Sequence, residues 1–134
     1  MTDDAAPPVG EPAIRSIAMP ADTNPNGDIF GGWLMSQMDL AGGSVAGRHA
    51  QGRIATVAVD SMSFLRPVKV GDEVSLYARV VGAGRTSIRV SVEAWRRPRV
   101  GDPRTEEMSK VTQAIFVFVA IGEDGRPRPL APPD

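Results

Sequence analysis

The stretch WLMSQMDLAGGSVAGRH, residues 33–49, decides the architecture of this chain. Leu34, Met38, Ala41 and Val45 recur at spacings of three and four, the period of a helix with one apolar stripe. The preceding run, NPNGDIFGGW (24–33), is made of turn formers, so the helix is expected to begin at about Gly32. From Ile54 onward the period changes to two. In DEVSLYARVV (72–81) Val74, Leu76, Ala78 and Val80 alternate with Ser75, Tyr77 and Arg79. In TSIRVSVEAW (86–95) Ile88, Val90, Val92 and Ala94 alternate with Arg89, Ser91 and Glu93. Such alternation marks half-buried antiparallel strands. Gly82, Ala83 and Gly84 between the two runs predict a hairpin connection. Residues 111–121 are apolar on both faces and predict a central or covered strand, and a short strand is expected over residues 13–19. The order of one strand, one long helix and about four strands gives an α+β domain with its helix against a single antiparallel sheet.

The 134 residues suit one domain. Residues 1–12 and 122–134 are rich in Pro, Gly and charge and read as loose tails, which leaves the folded domain at 13–121. Fifteen Lys and Arg against sixteen Asp and Glu give a net charge of -1, which argues against a nucleic-acid partner. The longest apolar stretch, residues 114–121, is too short to span a bilayer, and the N-terminus lacks a basic start followed by an apolar run. Cysteine is absent, which removes disulfides, thiolate metal sites and thiol nucleophiles, and a cytoplasmic protein is expected.

Few groups remain to carry chemistry. The single histidine, His49, sits beside Arg48 at the end of the helix, where a cation simply complements the helix dipole. A metal site is not expected. Asp39 lies in mid-helix, away from the first turn where the dipole would favour it. Its neighbours at three and four residues are Met35, Ser36, Gly42 and Gly43, so the carboxylate shares a face with small residues that admit a close approach. A solvated carboxylate beside a helix-packing surface and a catalytic carboxylate fit this pattern equally well. At the helix start, N–H groups unobstructed by side chains at Gly31 and Gly32 form a site for a developing oxyanion, although Asn, Pro and Gly clusters are also ordinary turns.

Together these features, PADTNPNGDIFGGWLMSQMDLAGG (20–43), resemble the signature of the YciA-like acyl-CoA thioesterases. The likeness continues through TVAVDSMSFLRPVKVGDEV (56–74), GRTSIRVSVEAW (84–95) and EDGRPRPL (123–130). The resemblance implies a hotdog fold, a long helix wrapped by a curved antiparallel sheet. It also implies a homo-oligomer, either a dimer or a trimer of dimers, acting on acyl-CoA with no cofactor, since CoA is part of the substrate and product. By the same resemblance Asp39 is the catalytic aspartate, either as general base or as nucleophile. Asn24 positions water or the carbonyl, and N–H groups near Gly32 and Trp33 hold the oxyanion. Arg66, Lys69, Arg85 and Arg96 become candidates for the CoA phosphates, and Thr56, Thr86 and Ser87 for the pantetheine amides. A hotdog dehydratase would be expected to carry a histidine in the turn before the helix or in the helix, and ADTNPNGD (21–28) has none. A non-catalytic acyl-CoA sensor would have no need of Asp39.

Overall fold

The computed structural model describes residues 6–102 and 107–131. Parts of both expected tails and of the polar loop after residue 97 lie outside the described residues. In chain order the elements are β1 (Ile14–Ile17), a 3-10 turn (Pro20–Asp22), α1 (Gly31–Ala50), β2 (Ile54–Asp60), β3 (Glu73–Ala83), β4 (Ser87–Arg97) and β5 (Ser109–Ala120). The strands form one antiparallel sheet in the order β1-β3-β4-β5-β2. The apolar strand β5 is interior, between the central β4 and the edge strand β2, and its two-sided pattern fits a strand covered on both sides. Register shifts at Thr56/Ala58, Val80/Gly82 and Ala94/Trp95 interrupt the ladders. Each such bulge bends its strand, and the sheet wraps the helix, which touches β2, β3, β4 and β5.

The helix buries Leu34, Met38, Ala41, Gly42, Ala46 and Ala50, while Val45 is half-buried. The expected stripe therefore turns after Met38 onto the i+4 row of Gly42, Ala46 and Ala50, whose small side chains let the sheet approach. A Cβ at Gly42 would stand 3.1 Å from the Phe118 ring and 3.2 Å from Val92. The sheet, rather than a ligand, occupies the space this glycine leaves. At Gly43 the nearest atom, Ile54 Cδ1, is 3.6 Å away, an ordinary contact. Adjacent glycines thus have opposite expected responses to alanine. Gly42→Ala should destabilise, because overpacking against the fully buried Phe118 and Val92 costs about 1–3 kcal/mol and outweighs the gain in helix propensity. Gly43→Ala should stabilise by up to about 1 kcal/mol. Thermal melts of the two variants check the signs.

Two expectations are corrected. The hairpin turn falls at residues 84–86, not at 82–84, because the bulge at Val80/Gly82 keeps Gly82 and Ala83 in the ladder opposite Arg89 and Ile88. The turn closes with the Gly84 N–H on the Ser87 carbonyl at 2.8 Å. The segment after β5, expected to be loose, is fastened as far as residue 130. Arg128 N–H donates to the Ala120 carbonyl and Leu130 N–H to the Arg85 carbonyl, at 2.9 and 2.8 Å. The Arg128 guanidinium donates to the Ala50 carbonyl at 2.9 Å, satisfying an acceptor at the helix end.

Candidate active site

Asp39 sits on the flank of α1, half-buried beside the edge strand β2. Its Oδ1 accepts a 2.6 Å hydrogen bond from Thr56 Oγ1. Thr56 stands at the bulge of β2. Among the described residues no donor reaches the second carboxylate oxygen, so it is open to a water molecule. Thr56, expected as a contact for pantetheine, thus spends its one hydroxyl proton on aiming the carboxylate. Thr56→Val should lower kcat by about tenfold to a hundredfold through misplacement of Asp39, with little effect on KM. Steady-state kinetics on one acyl-CoA separates the two constants.

The turn before the helix is built around Asn24. Its Oδ1 accepts from the backbone N–H of Asn26 at 3.0 Å and of Asp28 at 3.1 Å. With the oxygen occupied, the side chain faces its surroundings as an NH₂ donor. The turn is pinned to the opposite loop by the Lys69 Nζ to Asp28 Oδ1 pair at 2.7 Å and by Ile29 N–H on the Val68 carbonyl at 3.2 Å. Phe30 precedes the helix in an extended conformation and gives no side-chain cap. Among the described residues no acceptor takes the N–H of Gly31 or Gly32, whereas the N–H of Trp33 donates to the Phe30 carbonyl at 3.1 Å. Of the two expected oxyanion donors, Gly32 is the open one. Phe64, which sequence reasoning did not single out, lies over this helix start with its ring 3.3 Å from where a Cβ on Gly31 would stand. No sequence pattern marks it, and only the structure shows it half-exposed in the loop after β2.

The remaining candidates separate into two groups. Thr56 pairs with Phe118, and Phe118 with Ile88, so the turn carrying Arg85, Thr86 and Ser87 lies at the Asp39 end of the sheet. Arg96 is at the other end of β4, a strand of 11 residues, or about 35 Å at ~3.4 Å per residue. Lys69 is paired with Asp28, and the Arg66 guanidinium donates to the Lys110 carbonyl at 2.6 Å. Arg85 is exposed at its turn, with no side-chain partner among the described residues. His49 is exposed in the last helical turn. Asp39 stands about 10 Å along the helix from Gly32, at ~1.5 Å per residue. One chain therefore presents two separated polar clusters, a carboxylate with the β3–β4 turn and a set of N–H donors with the Asn24 turn.

The Thioesterase superfamily pattern matches residues 26–101, a span that includes the helix start, Asp39, Thr56 and the β3–β4 hairpin. The acyl-CoA thioester hydrolase YciA of Salmonella typhimurium is 54% identical over 123 residues, which is 92% of each chain. The chain belongs to the thioesterase superfamily. Solved structures similar to this thioesterase include HI0827, a hexameric broad specificity acyl-coenzyme A thioesterase. It is 46% identical, matches 95% of this chain and 85% of that one, and gives a TM-score of 0.87. Cj0915, a hexameric hotdog fold thioesterase of Campylobacter jejuni, is 42% identical over 91% of each chain, with a TM-score of 0.85. The hotdog fold implied by residues 20–43 is the fold of this thioesterase, one long helix held by a curled five-stranded sheet. It is an enzyme and a homologue of the acyl-CoA thioester hydrolases.

Proposed function

We propose that the chain hydrolyses the thioester of short- to medium-chain acyl-CoAs to free acid and CoA, with Asp39 as general base at a site shared by two subunits. The observation that carries this reading is the separation of the half-sites along one helix, with a Thr56-oriented carboxylate at one and unpaired N–H groups at the other. Water beside the open oxygen of Asp39 attacks the thioester carbon and gives its proton to the carboxylate. The carbonyl oxygen becomes an oxyanion held by the Gly32 N–H, and the Asn24 NH₂ donates to it or to the water. Collapse of the tetrahedral intermediate breaks the C–S bond, and the proton on Asp39 passes to the departing CoA sulfur. Arg85, Thr86 and Ser87 contact CoA beside the Asp39 half, while Arg66, Lys69 and Arg96 lie on the side of the other half. This chemistry uses no cofactor.

The relatives' hexamers support a homo-oligomer, a dimer or a trimer of dimers. So do the unpaired edge of β2 and the exposure of Val57 on that strand and of Met35 and Leu40 on the helix. Sedimentation should show a dimer or a multiple of it, and an active monomer at assay concentration would refute the shared site. No nucleic-acid or membrane partner enters the reading, and no described helix is long and apolar enough to cross a membrane. The direct test is release of free CoA from acetyl-, butyryl- and octanoyl-CoA, followed with a thiol reagent. Binding without thiol release from any of them would leave a sensor in place of an enzyme.

A further inference from the structure

The Asn24 turn closes on Asp28 from both sides. The Asn24 N–H donates to the Asp28 carbonyl at 2.7 Å, and the Asp28 N–H donates back to Asn24 Oδ1 at 3.1 Å. Thr23 and Ile29 pair next to them as an isolated bridge, so Asp28 stands opposite Asn24 in a small hairpin that runs into α1. The Asp28 carboxylate accepts from Lys69 Nζ at 2.7 Å. Lys69 reaches it from a fixed platform. Its N–H donates to Asp72 Oδ2 at 2.9 Å, its carbonyl accepts from the Asp72 N–H at 3.0 Å, and Asp72 is fully buried. Gly71, with a φ of 89°, lets this turn fold back, and its N–H donates to the Ala18 carbonyl at 2.8 Å while the Ala18 N–H donates to the Asp72 carbonyl at 3.0 Å. The ammonium is thus presented by a loop tied to the chain just after β1.

We infer that Lys69 is a positioning residue for the reaction and acts through Asp28: its ammonium cancels a carboxylate charge in the turn that holds the oxyanion and keeps that carboxylate on the Lys69 side. The inference rests on the thioesterase reading and deepens it. Asn24 and the open N–H of Gly32 are donors to an oxygen that becomes negative, and Asp28 puts a full negative charge in the same turn. Unpaired, that charge opposes the transition state. As a contribution to folding the pair is small, since the Lys69 and Asp28 side chains are 48% and 43% exposed and ion pairs so placed are worth little. Its effect belongs to kcat, because the charge on the carbonyl oxygen develops only as the reaction proceeds. A contact between Lys69 and a CoA phosphate would act on bound substrate and transition state alike and would show in KM.

The test measures kcat and KM on butyryl-CoA at about 10 mM and at about 1 M salt, where charges are felt over roughly 30 Å and roughly 3 Å respectively. The proteins are wild type, Lys69→Met, Lys69→Arg and the double variant Asp28→Asn with Lys69→Met. Lys69→Met keeps the length of the side chain without its charge, and at low salt it should lower kcat about threefold to tenfold with KM within about twofold of wild type. At high salt the gap to wild type should close. Lys69→Arg restores the cation and the double variant removes the charge that needed cancelling, so both should return kcat to within about twofold of wild type. Wild-type kcat in Lys69→Met at low salt would overturn the inference. So would a loss that neither salt nor Asp28→Asn relieves, or a rise in KM in place of the fall in kcat. Each of those results leaves the thioesterase reading standing, whereas a wild-type protein that releases no CoA removes both.

Discussion

Asp39→Asn is expected to leave the protein folded and able to bind CoA while lowering kcat by about a hundredfold to ten-thousandfold, the span of a lost general base. The asparagine retains an oxygen that can accept from Thr56, so the 2.6 Å contact between helix and edge strand survives. What disappears is the proton acceptor for water. A parallel loss of kcat and kcat/KM, with CoA affinity unchanged in a binding titration, is the signature of a group that acts in the transition state. Near-normal turnover by a well-folded variant would remove Asp39 from the mechanism.

Mixing two inactive proteins should restore roughly a quarter of wild-type activity if the site is shared across a two-fold interface. The helix start and Asp39 stand about 10 Å apart on one helix, too far for a single thioester carbonyl to touch both. In a dimer with antiparallel helices the start of one helix faces the middle of the other. For the donor half, Asn24→Asp is the suitable variant, because it keeps the oxygen that accepts from Asn26 and Asp28 while it replaces the NH₂ donor with a negatively charged acceptor that would repel an oxyanion. Its partner in the experiment is Asp39→Ala. Once subunits are dissociated and allowed to recombine, a hybrid dimer holds one doubly altered site and one intact site. A mixture confirmed to contain hybrids yet as inactive as its parents would show that both residues act from one chain.

The long helix, the four strands after it and the interior place of β5 were legible because each is written in a local period of side chains. What was not legible depended on residues distant in sequence. The hairpin moved from Gly82 to Gly84 because a bulge opposite β4 holds two further residues in the ladder, and no short window of sequence shows a bulge. The segment after β5 looks like a tail by composition, yet its bonds go to Ala120, Ala50 and Arg85. Asp39 and Asn24 were singled out as candidates through the family signature. The Thr56 hydroxyl on Asp39 crosses from sheet to helix, and the occupied N–H of Trp33 depends on how Phe30 enters the helix. Phe64 went unnoticed because its position over Gly31 exists only once the loop is clamped to β5.

The Arg128 contact with the Ala50 carbonyl also has a place in time. It joins two groups 78 residues apart in sequence, so a chain leaving the ribosome at about 5–20 residues per second carries its helix for several seconds before this partner is made. Until then the Ala50 carbonyl is left to water. The nascent helix is held meanwhile by its buried row of Leu34, Met38, Ala41, Gly42, Ala46 and Ala50 against the strands already made, and the distal guanidinium caps its end last.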